Sequence, residues 1–458
     1  MTKKKKFRFI YRILNAVESA GNRLPGAVIV YILLSLFVIV LSALLSGLKI
    51  EAAPGGSPVA IINLLTKQQM RDFFGGIMDN FRDLSQITLV IVLLTGIGMA
   101  EKTGMLGAAF TRMTGGGAKK FTGIIVIFAA ALFGLLAVFT GGGEGAIAAG
   151  FAALPALAAQ MFFKAGRSPL AGIFAAVGGM SAGISAALVT EFFLPGQAAL
   201  PAPPFCAAAV FLLALAGLLV NGLLTAPRYE RITDTPEDES TNSLEGILDE
   251  STQTSIELSY KERQGIRFAS VAFLLGLALL ITLSVGRGAF MADDNDSVFG
   301  ANAPLIKGLV PIIAALFLLP AFVYGMSTGS IKRAGGARAM IKSTIAELAP
   351  FIALSFVYSQ FIHIFTRSNI TAFIMTHIVN MMNSGGASSI PAFALAATAL
   401  PFKFLEPSIP LLFFYISRHQ KGSGIGTLVV NLCLYALAFF AAWLLILTFV
   451  PQVIPSPA

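Results

Sequence analysis

Residues 121–163 read FTGIIVIFAAALFGLLAVFTGGGEGAIAAGFAALPALAAQMFF, an apolar run in which Glu144 is the only ionisable residue. Gly141, Gly142 and Gly143 precede Glu144, and successive glycines break a helix because glycine loses the most backbone entropy on folding. Broken backbone at membrane depth is tolerated only where it is buried in protein or lines a wet cavity. The stretch 140–145 is therefore typical of a transporter's binding site, with a surface loop carrying a hydrated Glu144 as the alternative.

Composition and apolar patterning indicate a membrane protein. Hydrophobic residues make up 56% of the chain and charged residues 12%, whereas soluble domains carry about 25% charged residues. Apolar runs of about 20 residues, the length of a transmembrane helix, recur along the chain. The sequence therefore predicts an all-α, polytopic membrane protein of about 8–10 transmembrane helices.

Basic residues cluster at the ends of the apolar runs, and the net charge is +9. The residues concerned include Lys3–Lys6, Arg8, Arg12, Lys332, Arg333, Arg338 and Lys342. This positive-inside pattern places such ends in the cytoplasm, and it favours anionic lipid headgroups rather than nucleic acid as partners. The first span is too long for a signal peptide. We therefore expect a retained first helix and a cytoplasmic N-terminus.

The chain divides into two membrane halves joined by a polar segment. The predicted units are a basic cytoplasmic arm (1–23), a first membrane half (24–224), a linker (225–267), a second membrane half (268–450) and a tail (451–458). The linker contains ten acidic and five basic residues. Its low hydrophobicity predicts a flexible, acidic segment on the cytoplasmic side.

Residues 63–84 have the spacing of an amphipathic helix. Phe73, Phe74 and Phe81 recur on one face, opposite Lys67 and Arg71. Such a pattern predicts a helix that lies in the membrane interface. A packed helix outside the membrane is the alternative.

A second broken segment occupies residues 401–410 of the second half. Pro401 and Pro407 free backbone carbonyls that a cation or a polar substrate could use. Between them, Lys403 could pair with Glu144 or Glu406, or bind a substrate carboxylate. In the alternative interpretation, Lys403 extends to the lipid headgroups and Glu406 is a turn residue.

Metal and enzyme sites have little support in the sequence. His363 and His377 are too far apart for an HExxH-type site, and no Cys or Asp supplements them. Cys206 and Cys433 fall in separate apolar runs, which argues against a disulfide framework. The nucleotide-binding and serine-hydrolase glycine motifs are absent. We therefore expect a protein that is not an enzyme.

The chain resembles the AbgT family of aminobenzoyl-glutamate transporters along nearly its whole length. Several of the matching stretches lie in loops or at helix ends, where hydropathy alone would not demand them. The matching stretches are VESAGNRLP (17–25), NLL (63–65), GIGMAEKTGML (96–106), GRSPLAGI (166–173), PLIKGLVPII (304–313), YGMSTGSIKR (324–333) and IPAF (390–393).

This resemblance implies a homodimeric protein of the bacterial inner membrane with two repeat-related halves. Each half of a family member contributes a re-entrant hairpin; here one hairpin is clear and the second is shortened. Members are described as taking up aminobenzoyl-glutamate or exporting sulfonamide-type antimetabolites. The implied substrate is a small organic anion, and the implied requirement is Na⁺ or H⁺ as coupling ion, with no other cofactor.

The chain differs from the family at the motifs of both hairpins and at the Thr-Ala-Asn motif. Gly141–Gly145 stands where the first hairpin of the family carries Ser-Ser-Asp, and Ser185-Ala186-Ala187 stands at its Thr-Ala-Asn motif. In the second half, the Pro-rich segment 401–410 follows IPAF closely, and the Ser-Gly-Ser hairpin of the family is missing. The predicted substrate- and ion-binding residues are Gly141, Gly142, Gly143, Glu144, Ser185, Pro401, Lys403 and Glu406.

The leading hypothesis is a secondary transporter for aminobenzoyl-glutamate-like organic anions or antimetabolites, coupled to a proton or sodium gradient. Glu144 would bind the coupling ion, and Lys403 would supply the counter-charge. The alternative is a non-transporting scaffold or sensor that has lost the second hairpin. A channel has less support, because no repeated filter-like loop is evident. If Glu144 and Lys403 face one cavity, transport is favoured over the non-transporting alternative.

Overall fold

The structure is a computed structural model in which nearly all of the chain is helical. It describes residues 3–51, 58–84, 86–114, 120–140, 143–193, 202–233, 258–286, 288–295, 297–300, 302–332, 334–383, 389–420 and 422–449. The strands in this part of the chain are β1 (Lys49–Glu51) and β2 (Pro58–Ala60), which form an antiparallel pair.

The first membrane half and the start of the linker form a series of helices. They are α1 (Lys3–Asn22), α2 (Ala27–Leu44), α3 (Lys67–Gly75), α4 (Ile77–Arg82), α5 (Gln86–Lys102), α6 (Met105–Thr114), α7 (Thr122–Phe139), α8 (Gly143–Lys164), α9 (Pro169–Phe193), α10 (Ala202–Val220) and α11 (Ala226–Thr233). A π-helical turn, Asn221–Thr225, joins α10 to α11.

The second half begins inside the predicted linker. Its helices are α12 (Tyr260–Ser284), α13 (Pro304–Lys307), α14 (Leu309–Thr328), α15 (Ala334–Glu347), α16 (Ala349–Arg367), α17 (Ile370–Asn383), α18 (Ser389–Leu405), α19 (Ile409–His419) and α20 (Ile425–Phe449). A 3₁₀ turn, Glu406–Ser408, separates α18 from α19.

The prediction of an all-α, polytopic membrane protein is confirmed. Within the described residues, 11 helices are long and apolar enough to cross a membrane, against the 8–10 that the sequence predicted. The span Ser389–His419 is counted as one of them, because the chain remains helical through Pro401 and the 3₁₀ turn. α17 has 14 residues, which corresponds to a length of about 21 Å and is shorter than a bilayer core. It packs against α18, which agrees with a shortened second hairpin.

Three predicted segments differ locally from expectation. The amphipathic stretch 63–84 forms two short helices, because the chain breaks at Gly76 between α3 and α4. The basic arm is helical as α1, and it packs along α20. Both ends of the predicted linker 225–267 are also helical, since α11 and the first turns of α12 lie there.

α9 lies at the centre of the bundle. Residues Pro169–Thr190 are 94% buried, and α7, α8, α10, α18 and α20 all pack against them. Glycines permit the close approach of α7 and α9: a Cβ added at Gly183 would overlap the carbonyl oxygen of Ala131. Small residues serve helix packing in this way in membranes, where burial of apolar side chains gives no driving force between helices.

Candidate functional site

The Gly-rich stretch breaks the helix, as predicted. α7 ends at Phe139, and α8 begins at Gly143, while Gly141 and Gly142 lie outside the described residues. Glu144 is in the first turn of α8 and is exposed. A carboxylate in this position is stabilised by the partial positive charge of the helix N-terminus. Its role in ion binding stays a prediction.

The Pro-rich segment is less broken than expected. Pro401 is buried inside α18, which continues to Leu405. Lys403 is exposed and lies over the ring of Phe404, 5.7 Å from its centroid. Glu406 is half-buried, and its carbonyl oxygen accepts a hydrogen bond of 2.5 Å from Tyr358 Oη.

Glu144 and Lys403 do not meet in this conformation. Both side chains are exposed, and within the described part of the chain they form no ion pair with each other or with Glu406. Neither residue lines the two clefts described below. Their predicted pairing is therefore not seen, and their functional roles stay predictions.

Ser185 is placed at a junction of three helices. Its side chain on α9 is fully buried, and its Oγ donates a hydrogen bond of 2.6 Å to the carbonyl oxygen of Ala397 on α18. The same Oγ accepts a hydrogen bond of 2.9 Å from Trp443 Nε1 on α20. In this conformation the hydroxyl therefore joins helices rather than facing a cleft.

A charged cleft lies where helices of the two halves meet, and sequence reasoning did not find it. In this conformation its cavity volume is about 20 Å³, which is room for about one water molecule. Four ionisable residues define it: Glu101 and Lys102 at the end of α5, Glu347 at the end of α15 and Arg418 near the end of α19. The apolar part of its wall consists of Leu94, Ile97, Ala156, Leu348 and Phe414.

Ion pairs join these four residues across long sequence separations. Arg418 Nη2 lies 2.8 Å from Glu101 Oε1 and 3.5 Å from Glu347 Oε2. Arg418 Nη1 also donates to Glu101 Oε2 at 3.2 Å, so the Arg418–Glu101 pair is bidentate. Lys102 Nζ contacts Glu347 Oε1 at 2.5 Å, and Gln160 Nε2 on α8 donates to Glu101 Oε1 at 2.7 Å.

The sequence did contain a signal for this cleft. Glu101 and Lys102 belong to the stretch 96–106 that carries the resemblance, and both follow directly on an apolar span. Glu347 and Arg418 lie near the ends of other apolar spans. No local pattern shows that these positions, separated by as many as 317 residues, converge.

A second cleft lies at the other end of α16. It has a cavity volume of about 20 Å³ and is lined by Gln69, His363 and Arg367, and its apolar wall consists of Ile39, Leu64, Met70, Phe73 and Ile364. Arg367 donates to Gln69 Oε1 at 2.7 Å and pairs with Asp72 Oδ2 at 2.6 Å. Glu347 ends α15 directly before α16, and Arg367 is the last residue of α16. The 19 residues of α16 therefore separate the two clefts by about 28 Å.

A third set of polar residues, the N-terminal polar cluster, is buried between α1, α11 and α20. Glu18 pairs with Arg228, and its carboxylate accepts hydrogen bonds from Thr427 Oγ1 at 2.6 Å and Tyr229 Oη at 3.2 Å. Asn431 Nδ2 donates to Tyr229 Oη at 2.6 Å. Because Glu18 lies in the matching stretch 17–25, this part of the resemblance corresponds to a buried tertiary contact.

The described residues contain no group of three or more His, Cys, Asp or Glu side chains that could hold a metal ion.

Comparison with known proteins gives the family. The model of the AbgT putative transporter family matches residues 12–196 and 203–400. The chain belongs to this family. The p-aminobenzoyl-glutamate transport protein of Escherichia coli (strain K12) is 26% identical over 498 aligned residues, which cover 94% of this chain and 93% of that protein.

Two solved structures of transporters match this chain over most of its length. Neisseria gonorrhoeae MtrF, from a class of antimetabolite efflux pumps, has a TM-score of 0.52 and 22% identity, with 95% of this chain and 96% of that chain covered. The Alcanivorax borkumensis YdaH transporter, with an unusual topology, has a TM-score of 0.48 and 21% identity, with 94% of this chain and all of that chain covered.

The family and the 11 apolar helices make this chain a multi-pass membrane transporter. The curated relative that it matches is a transport protein. The family and this relative do not favour the alternative of a non-transporting scaffold or sensor.

Proposed function

We propose that this AbgT-family protein moves p-aminobenzoyl-glutamate, or a related amphipathic organic anion or antimetabolite, across the bacterial inner membrane. The proposal rests on the similarity to the E. coli p-aminobenzoyl-glutamate transport protein, which extends over 94% of this chain. A proton or sodium gradient would drive the transport.

The charged cleft suits this class of substrate. p-Aminobenzoyl-glutamate combines an aromatic ring with carboxylates. The cations Arg418 and Lys102 lie beside the apolar side chains of Ile97 and Phe414. In this conformation they are paired with Glu101 and Glu347, so a substrate would bind to them after these pairs open. The planar guanidinium of arginine binds carboxylates in a bidentate manner. The wall of the cleft therefore supports binding of an amphipathic anion.

We further propose that the N-terminus and the charged cleft face the cytoplasm. The cleft lies at the end of the bundle where α5 ends with Lys102 and α19 ends with Arg418 and His419. Basic residues at span ends favour the cytoplasmic side.

Glu144 remains our candidate for the coupling carboxylate, with Gly141–Gly143 as adaptable backbone and Lys403 as counter-charge. α8 supports this assignment, because it carries Glu144 in its first turn and Gln160, a hydrogen-bond donor at the charged cleft, near its other end. The 16 positions between them correspond to about 24 Å of helix. Movement of α8 would therefore affect both ends of the bundle.

Uptake of labelled p-aminobenzoyl-glutamate into proteoliposomes tests the function. We expect an imposed proton or sodium gradient to stimulate uptake above that of protein-free liposomes. The proposed substrate is wrong if the protein elutes as a single folded species but uptake does not depend on a gradient and equals that of protein-free liposomes.

Replacement of the candidate coupling residue tests the mechanism. We expect Glu144→Gln to abolish gradient-stimulated uptake, because the amide cannot take up a proton or supply a full charge to a cation, while the protein stays folded. Glu51→Gln is the matched control, since Glu51 is also an exposed glutamate but lies in β1. Unchanged, gradient-dependent uptake by Glu144→Gln would remove Glu144 from the mechanism.

A further inference from the structure

The four charges of the charged cleft are only partly hydrated. Their side chains range from 17% exposed for Lys102 to 35% exposed for Glu347, with Glu101 and Arg418 between these values. Ion pairs between fully exposed side chains contribute little, because water and salt screen them. Partial burial strengthens the attraction, so the contacts made by Arg418 have a structural effect greater than that of an ordinary surface pair.

Arg418 is the basic side chain that crosses the cleft. Its helix α19 packs against α8, α9 and α16, yet the guanidinium reaches Glu101 on α5 and Glu347 on α15. Lys102 instead joins α5 to α15, two helices that already pack together. Arg418 therefore holds the two sides of the cleft together, whereas Lys102 stabilises one of the sides.

Both carboxylates have a second donor that does not depend on Arg418. Glu101 accepts from Gln160 Nε2, and Glu347 accepts from Lys102 Nζ. A buried polar group left without a partner is costly. Release of Arg418 would therefore leave neither carboxylate without a donor.

The helix that carries Arg418 follows a break in regular structure. α19 begins at Ile409, directly after the 3₁₀ turn Glu406–Ser408, and prolines occupy positions 407 and 410. Element ends of this kind commonly absorb the backbone changes of hinge motions. The Pro-rich segment that the sequence singled out thus leads directly into the helix that closes the cleft.

We propose that Arg418 is the gate residue of the charged cleft during transport: the cleft is closed while Arg418 binds Glu101 and Glu347, and it opens when Arg418 releases them. The inference rests on the proposed transport function, but it does not depend on the identity of the substrate. It assigns the role of hinge to the 3₁₀ turn Glu406–Ser408.

Cysteine accessibility tests this gate without any substrate. Cys206 and Cys433 are first replaced by alanine, and Ala156→Cys places a single thiol in the wall of the cleft. The rate of alkylation by a charged maleimide is measured in lipid nanodiscs, which leave both membrane faces open to the reagent. We expect Arg418→Gln to raise this rate about tenfold, within the usual range of coupling between sites.

Further variants separate gating from general loosening. Glu101→Gln should raise the rate less than Arg418→Gln, because Arg418 keeps its contact with Glu347. The double variant should match Arg418→Gln, since residues that act as a unit are not additive. Arg167→Gln is the matched control: Arg167 pairs with Glu230 at 2.9 Å and is also partly exposed, but it lies outside the cleft.

An unchanged alkylation rate in both folded Arg418→Gln and folded Glu101→Gln would overturn the inference, and so would an equal increase in Arg167→Gln. If Arg418→Gln does not fold, the isosteric Glu101→Gln decides alone. If p-aminobenzoyl-glutamate is not taken up but Arg418→Gln still raises the alkylation rate, the proposed substrate is wrong and the gate is supported.

Discussion

Ser185 shows how a polar residue in a membrane protein can serve packing. A hydroxyl surrounded by apolar side chains needs partners, because no water is available to supply them. Ser185 finds both within the protein, as donor to Ala397 O and as acceptor from Trp443 Nε1. Trp443 is itself fully buried, and its indole N–H needs an acceptor. One hydroxyl thus satisfies groups on two neighbouring helices.

Replacement of Ser185 by alanine should lower stability without creating a large cavity. The indole N–H of Trp443 and the carbonyl of Ala397 would each lose a partner, which typically costs about 1–3 kcal/mol. The expected result is a lower midpoint of thermal unfolding in detergent. Thr448→Ala is the control, since the exposed Thr448 hydroxyl bonds only to Leu444 O within its own helix. Equal midpoints for Ser185→Ala and Thr448→Ala would show that the junction is not required for stability.

The helix α1 is held to the bundle by polar rather than apolar contacts. Asn22 Oδ1 accepts from the backbone N–H groups of Gly424 and Thr427 at 2.9 and 3.1 Å. Gly21 permits the close approach, because an added Cβ would overlap the backbone of Gly426. These contacts fix the start of α20 and place Glu18 beside Arg228. The segment that the sequence predicts as a basic arm is therefore an integral part of the fold.

Removal of one charge from the N-terminal polar cluster should be strongly destabilising. Glu18→Gln leaves the buried guanidinium of Arg228 without its counter-charge, and breaking such a pair typically costs about 3–5 kcal/mol. We expect a marked drop in the thermal midpoint and faster proteolysis within α1. The double variant Glu18→Gln, Arg228→Met should recover part of the loss, because no unpaired charge remains.

The matched control for this experiment is Arg82→Gln. Arg82 pairs with Asp79 at 2.9 Å, but the two side chains are 77% and 59% exposed, and exposed pairs contribute about 0–1 kcal/mol. A drop for Glu18→Gln no larger than that for Arg82→Gln would show that burial does not make the Glu18–Arg228 pair important.

The bundle is built around α9, and two arginine–carboxylate pairs lie at opposite ends of α16. α9 touches helices of both sequence halves, so the centre depends on close backbone packing rather than on either half alone. At opposite ends of α16, Arg418 binds Glu101, and Arg367 binds Asp72. A transporter that exposes its substrate alternately to two sides needs a closure at each end, and these pairs occupy suitable positions.

Close packing at the centre can be tested with glycine variants. Gly183→Ala should lower the thermal midpoint, because the added Cβ would overlap the backbone of Ala131 and Leu135 and force α7 away from α9. Gly145→Ala is the control: an added Cβ there meets nothing within 4 Å, and alanine favours a helix by about 1 kcal/mol over glycine. A Gly183→Ala protein as stable as the wild type would contradict the role of this contact.

Sequence reasoning predicted the candidate site only in part. It found the break before Glu144, because glycine acts on the backbone locally and needs no tertiary context. It took Pro401 for a break, whereas α18 continues through Pro401. Its assignment of Ser185 to a binding site stays a prediction, and in this conformation the hydroxyl bonds between helices. It missed the Arg418–Glu101 pair, since the convergence of α5 and α19 depends on packing of the whole bundle.

The sequence by itself determined the class of protein, the apolar spans, the family and the Gly-rich break, because hydropathy, glycine content and matching stretches are properties of contiguous residues. Only the tertiary structure decided which charges meet. Glu18 reaches Arg228, and Glu101 reaches Arg418, because helices distant in sequence pack side by side and desolvate their charged ends together. The energy of an ion pair depends on distance and solvent exposure, and both quantities exist only once the helices are assembled.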